Sequence, residues 1–508
     1  MLPPKTTESP FTHALLLATV VFYAVVQLIW LGATPLQSIS LPDNLPETRA
    51  GAALLVGLGP DEKEHYLYVL SLAERGRIPK PSPPYRTSPD EYVSYQAQHP
   101  PLFYAVAAVV YKAVHPAVGD ANIWYVLRGL CIACGIAVIL LTDKAAKTAF
   151  PDRPLVALGT APFVAFLPMF GHMTGNLSNE PLAMVFGASV WLQAVRLLRG
   201  THPLTLRSAV ILGATLALAC LTRLTALLWL PVVLVAVSVS PLTPQPPLPP
   251  KGEGEPEDHT GSEPTSAPDS PSPFGGRGGW GVRGSILAAA LATLATLALL
   301  LAPWLIYNQV AYGKAFLRTF DRPLLDRGPL ADFFGTGIVP AEFPVPINAT
   351  QTMLWYAGTA WLPVWLTQFY QTVDLRPLLL LVDAVAVILL VLHVGKLTLN
   401  GAPDAGGKAI LGAGFAAVGF CLSALIQQQL FSDWNVVLSA GRYLVAAAPA
   451  TGLLFVFALS TIKPLNRPWF AAVLALSMLA FGIYAAKTVE RFYFDHPKQD
   501  EVQRVSGQ

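Results

Sequence analysis

Residues 13–33, HALLLATVVFYAVVQLIWLGA, decide the class of this chain. They contain no Asp, Glu, Lys or Arg and, coiled as a helix, are long enough to cross about 30 Å of hydrocarbon. The stretch is too long for a signal-peptide core and lacks a small-residue cleavage site, so it is expected to stay as a helix. The same character runs on: 53% of the 508 residues are hydrophobic, 13% are charged, and the mean hydropathy is +0.49. That composition excludes a soluble multidomain protein and reads as a polytopic membrane chain.

Further charge-poor segments recur near residues 122–142, 154–173, 181–198, 207–222, 225–240, 285–303, 375–395, 409–430, 442–461 and 468–486. Each is expected to span as a helix, because a helix satisfies its own backbone hydrogen bonds in lipid. The fold class is therefore all-α and membrane-spanning, with about 11–13 transmembrane helices. A formal net charge of +2 supplies no broad basic field, so no nucleic-acid partner is expected. Cys131, Cys134, Cys220 and Cys421 all lie in apolar stretches and read as packing residues.

Short basic loops orient the helices, since Lys and Arg are retained on the cytoplasmic side. Lys144, Lys147 and Arg153 form one such loop; Arg196, Arg199 and Arg207 form another. Lys396 with Lys408, and Lys463 with Arg467, continue the parity. The opposite, outer side then receives a large first loop over residues 34–99, the region around Asn179, the Arg223 turn, residues 305–373 and the Gly441-Arg442-Tyr443 turn. This parity requires that residues 100–118 do not fully cross; they are expected to be interfacial or re-entrant. Residues 241–284, rich in Pro, Gly, Ser and acids, read as a disordered cytoplasmic linker between membrane modules 1–240 and 285–508. Pro246–Pro250 fits a Pro-rich binding motif, with a passive insertion as the more economical reading.

Polar residues gather on the outer side. In Pro60-Asp61-Glu62-Lys63-Glu64-His65-Tyr66, a helix starting near Pro60 would place Asp61, Glu62 and His65 along one side, where they can bind a divalent cation or supply a base. The plainer reading is acidic enrichment of a first helical turn, which the helix dipole favours. In Asn176-Leu177-Ser178-Asn179-Glu180-Pro181, Ser178 or Asn179 is placed to cap a helix that starts with proline. Capping does not account for Glu180, a carboxylate at the hydrocarbon boundary. Asn176 and Asn348 also begin glycosylation-acceptor triplets, a pattern short enough to arise by chance. Arg223 lies between two apolar segments, where a guanidinium either grips a phosphate or snorkels to lipid headgroups. Arg442, beside Tyr443, poses the same choice.

Five stretches in order carry a resemblance: Pro60-Asp61-Glu62-Lys63-Glu64-His65, Gln98-His99-Pro100-Pro101-Leu102-Phe103-Tyr104, Ser178-Asn179-Glu180-Pro181-Leu182-Ala183, Leu221-Thr222-Arg223-Leu224-Thr225-Ala226-Leu227 and Gly441-Arg442-Tyr443-Leu444. With these the chain resembles the GT-C superfamily of membrane glycosyltransferases, the clan of protein O-mannosyltransferases and lipid A aminoarabinose transferases. The resemblance implies an inverting transfer of sugar from a polyprenyl-phosphate carrier to an extracytoplasmic acceptor. The membrane would be the bacterial inner membrane, with the active site facing outward among membrane lipids. By the same resemblance Asp61 is general base or metal ligand, with Glu62 as its understudy. Glu180 stands for the family's second acidic residue and is the other candidate ligand for a divalent cation. Arg223 takes the place of a lysine at the donor phosphate. His65, His99, Asn179, Arg442 and Tyr443 complete the substrate-binding set. The aromatics between Tyr307 and Trp365, with Asp321, Arg322, Asp326 and Arg327, would cover the acceptor cleft. A transporter or flippase for lipid-linked sugars, or a noncatalytic scaffold, could use the same charged groups without chemistry.

Overall fold

The computed structural model describes residues 10–33, 36–40, 53–57, 62–81, 93–240, 278–313, 315, 376–399, 405–431 and 445–495. Helix α1 (Pro10–Ala33) leads into an antiparallel pair, β1 (Leu36–Ser40) with β2 (Ala53–Gly57), in register Leu36 to Gly57 through Ser40 to Ala53. Helix α2 (Glu62–Arg75) follows, then a two-residue parallel pairing of β3 (Lys80–Pro81) with β4 (Val93–Ser94), and a 3-10 turn at Tyr95–Gln98. The first loop is thus a small folded platform, with pairings that the apolar pattern did not disclose.

Helix α3 (Leu102–Ala149) is 48 residues long and breaks at Gly119, where φ is +70°. Only glycine takes this conformation without strain, and Pro116 lies three residues ahead. His115 Nε2 and Asp120 Oδ1, 2.9 Å apart, straddle the break. Tyr66 of α2 packs 6.4 Å from Tyr111 on the first arm and 4.3 Å from Trp124 on the second. In a straight helix residues 13 apart are separated by about 20 Å, so α2 fills the angle between two arms. The arm over 102–118 therefore lies against α2 of the first loop.

The bundle continues with α4 (Pro154–Ala165), α5 (Pro168–Gly175), α6 (Glu180–Leu198), α7 (Leu206–Thr222), a 3-10 turn at Leu224–Trp229, α8 (Leu230–Val239) and α9 (Gly278–Tyr312). Beyond these come α10 (Arg376–Leu399), α11 (Ala405–Phe431), α12 (Ala448–Ser460) and α13 (Pro468–Asp495). Local chemistry sets several of these ends. Prolines 154, 168 and 181 each open a helix, where the missing N–H costs nothing. Thr205 and Ser208 form a reciprocal capping box at the start of α7.

Two expected spans depart from single straight helices. The 154–173 segment is broken after Ala165, and α4 and α5 are bent by 50°. The 225–240 segment begins as a 3-10 turn because Arg223 is extended (φ −153°, ψ 121°). Helix α9 starts at Gly278, inside the stretch expected to be linker; residues 241–277, most of the expected outer segment 305–373, and Leu444 lie outside the described residues.

Among the described residues, α1, α3, α6, α9 and α13 are long and apolar enough to cross a membrane, and the bent α4–α5 pair is either a broken sixth span or a re-entrant loop. Shorter apolar helices accompany them at 206–222, 224–239, 384–393, 406–420 and 448–460. The protein is an all-α, polytopic integral membrane protein. Its helices close on one another through small residues: a Cβ on Gly213 of α7 would sit 2.5 Å from the Thr293 carbonyl oxygen of α9. Thr293 Oγ1 also donates across this contact to the Ala209 carbonyl, 3.2 Å away. At one end of the bundle Arg153 Nη1 donates to Ser460 Oγ (3.3 Å) and the Leu155 amide to Asn466 Oδ1 (3.3 Å). The basic loops near Arg153 and Lys463 therefore share an end, as the charge parity requires.

Candidate functional site at the 176–180 turn

At the other end, the turn between α5 and α6, taken with the first residue of α6, joins the first loop to the α7 terminus. Glu62, the first residue of α2, is fully buried. Arg128 on the second arm of α3 grips it with a fork, Nε to Oε1 at 3.0 Å and Nη2 to Oε2 at 2.6 Å. The Leu177 amide donates to the same Oε1 at 2.6 Å, and Arg128 Nη1 reaches the Leu31 carbonyl at 3.5 Å. One ion pair thus ties α1, α2, α3 and the turn together. A planar guanidinium suits this, because it offers parallel donors to both carboxylate oxygens.

Three residues further along the turn, Glu180 receives a short hydrogen bond from Arg223 Nη1, which also donates to Asn179 Oδ1 at 3.3 Å. Asn179 Nδ2 in turn donates to the Thr222 carbonyl at 2.9 Å. The two pairs differ in burial. Side chains of Glu62 and Arg128 are 0% exposed, whereas those of Glu180 and Arg223 are 8% and 7% exposed. Cys131 Sγ contacts the Ser178 carbonyl at 3.7 Å and is buried, as expected of a packing thiol.

These contacts revise several expectations. Glu62, a catalytic candidate beside Asp61, has its carboxylate gripped by the Arg128 guanidinium and the Leu177 amide. His65, on the same helix, is buried with Nδ1 2.8 Å from Tyr104 Oη. Asn179 occupies the N-cap position of α6, but it makes no side-chain cap there (φ −80°, ψ −11°). Its side-chain amide serves Arg223 and Thr222 instead, and Ser178 Oγ is buried without a hydrogen-bond partner among the described residues. Asn176 is buried against His172, with Nδ2 2.9 Å from the His172 carbonyl, so it is not a glycosylation acceptor.

His99 lies at the foot of α3, as expected, where its carbonyl accepts from Tyr68 Oη at 3.3 Å. The Tyr68 ring stacks on Tyr104 at 3.8 Å. Burial, reinforced by Tyr307 and Tyr312, pushes the Tyr68 phenol well above its ordinary value, so it remains a donor. Asp61, Arg442, Tyr443, Asp321, Arg322, Asp326 and Arg327 lie outside the described residues.

No three His, Cys, Asp or Glu side chains gather as a metal-ligand group among the described residues. Of the two candidate cation ligands, Glu180 is engaged by the Arg223 guanidinium and Asp61 lies outside the described residues. Arg128 escaped the sequence reading. Its signal was available: an arginine inside an otherwise charge-poor span is costly unless it has a partner.

No protein-family model matches the chain, and no curated protein matches it either. Among solved structures, the apo oligosaccharyltransferase of Archaeoglobus fulgidus superposes with a TM-score of 0.51 at 12% identity, over 95% of this chain and 56% of that one. This chain therefore spans little more than half the length of that neighbour. ArnT from Cupriavidus metallidurans bound to undecaprenyl phosphate follows at a TM-score of 0.45 and 14% identity, covering 93% of this chain and 75% of that one. The chain thus shares its overall fold with that oligosaccharyltransferase.

Proposed function

We propose that the protein is an inverting glycosyltransferase that moves a sugar from a polyprenyl-phosphate donor to an acceptor outside the cytoplasm. The observation that carries this reading is the 176–180 turn, which holds the start of α2 through Glu62 and the end of α7 through Arg223. It sits at the bundle end opposite the basic loops of Arg153 and Lys463. By the charge-parity argument that end faces outward, in the inner membrane of a bacterium.

In this reading Asp61 is the base. It immediately precedes Glu62, whose anchorage to Arg128 and Leu177 fixes where the α2 terminus lies. Asp61 takes the proton of the acceptor hydroxyl as that oxygen attacks the anomeric carbon from the face opposite the phosphate. The carbon–phosphate-oxygen bond breaks, the configuration inverts, and the charge gathering on the departing lipid phosphate is met by Arg223. A lipid phosphate leaves already charged, so a cation matters more there than a proton donor. Asn179 holds Arg223 in place, while Arg442 and Tyr443, with His65 and His99 behind the α2 platform, complete the substrate surround.

The test is transfer of radiolabelled sugar from polyprenyl-phosphate donors by the purified full-length protein, with Asp61→Asn beside wild type. The reading expects the variant to bind donor normally and to lose transfer by at least about 100-fold, the usual contribution of a general base. Equal transfer by the two proteins would exclude the role assigned to Asp61. Donor binding without transfer by wild type would favour a lipid-linked-sugar transporter instead.

A further inference from the structure

The two carboxylate–guanidinium pairs at the turn are built for different lifetimes. Glu62 and Arg128 are sealed, and each is bonded again to backbone, so separating them would strand two charges. Glu180 and Arg223 are buried less completely, with 8% and 7% of their side chains exposed. Glu180 is also the first residue of the 19-residue helix α6, where the positive end of the helix dipole favours a carboxylate in its own right. Arg223 has a second acceptor in Asn179 Oδ1, and Asn179 is fixed by the Thr222 carbonyl. Each partner therefore keeps some compensation when the pair opens.

We propose that Glu180 is a stand-in for the donor phosphate. In the resting protein it occupies Arg223, and the lipid phosphate binds by displacing the carboxylate from the guanidinium while Asn179 keeps that guanidinium in register. This rests on the reading that Arg223 receives the donor phosphate. A phosphate arriving beside an intact pair would place two anions on one cation in a poorly solvated site, so one anion must yield. The phosphate offers more acceptor oxygens and higher charge, and the carboxylate has the helix terminus to fall back on. Glu180 is thus a positioning and competing residue rather than a catalytic one, and its loss should strengthen donor binding.

The experiment measures the Kd of a short-chain polyprenyl phosphate, with the matching polyprenol as control, for full-length protein in nanodiscs. Arg223→Gln should weaken phosphate binding by about tenfold or more, the worth of one charge-assisted hydrogen bond. Glu180→Gln should tighten it by about tenfold for the same reason, and leave polyprenol binding unchanged. If Glu180→Gln does not fold, Glu180→Asp, whose shorter side chain loosens the pair, should tighten binding to a smaller extent. Loss of affinity in Arg223→Gln, with unchanged or weaker binding in both Glu180 variants, overturns the competition and leaves the donor-phosphate role intact. Unchanged affinity in Arg223→Gln removes that role and the competition with it. Tighter polyprenol binding in Glu180→Gln also overturns the competition, because the effect would not be electrostatic.

Discussion

Glu62→Ala should destabilise the protein strongly, and the structure says by how much. The substitution strands the guanidinium of Arg128 at 0% exposure and removes the acceptor of the Leu177 amide. Breaking a buried pair on one side costs about 3–5 kcal/mol, and an unsatisfied buried amide pushes the total towards the upper end of that range. Arg128→Met alone should cost less, because a buried carboxylate can take up a proton and become neutral. The double variant Glu62→Gln, Arg128→Met should return to within about 2 kcal/mol of wild type, since no charge is left buried and Gln still accepts from Leu177. Equilibrium unfolding in mixed micelles measures the three values, and the single variant Glu62→Gln beside them closes a double-mutant cycle. Sugar transfer by the double variant adds a second readout, because a positioning role lets activity return with the fold, whereas a catalytic Glu62 does not. A loss below about 1 kcal/mol for Glu62→Ala, the size expected of an exposed pair, would refute the claim that this ion pair holds the platform to the bundle.

Further expectations concern the platform and the bundle. Tyr104→Phe removes the 2.8 Å contact to His65 but keeps the ring stacked on Tyr68, so it should cost about 0.5–1.5 kcal/mol, read by thermal unfolding. Gly213→Ala sets a methyl group 2.5 Å from the Thr293 carbonyl and should cost about 1–3 kcal/mol by prising α7 from α9, measured as the yield of monodisperse protein after heating. The Tyr68 phenol is held well above its ordinary value, so its ionisation favours the unfolded chain. Its contribution to stability is complete below about pH 10, the unfolded value, and declines as pH rises beyond it. Tyr68→Phe should flatten that part of the stability profile.

The apolar pattern disclosed most of the bundle, because a membrane leaves a chain few ways to satisfy its backbone. Residues 181–198 and 207–222 fall within a residue or so of α6 and α7. The breaks at Gly119 and between α4 and α5 were less legible, since each depends on neighbours that fill the angle, such as Tyr66 between Tyr111 and Trp124. Sequence also gathered Asn179, Glu180 and Arg223 on one surface, and the structure brings these three together. What it could not supply was pairing. Glu62 reads from sequence as a catalytic candidate, and no local pattern discloses that Arg128, 66 residues away, grips its carboxylate. Ser178 and Asn179 looked like caps because their spacing suits capping, yet the amide of Asn179 is drawn to Arg223 by a contact that no local pattern encodes.

The central claim is that donor chemistry takes place at the 176–180 turn. The most direct measurement is an electron cryomicroscopy structure of the full-length protein with a non-hydrolysable polyprenyl-phosphate sugar analogue. The account expects the phosphate within hydrogen-bond distance of Arg223, Glu180 withdrawn from the guanidinium, and Asp61 facing the anomeric carbon from the side opposite the phosphate. A phosphate bound at the opposite end of the bundle, near Arg153, or Asp61 remote from the sugar, would contradict it.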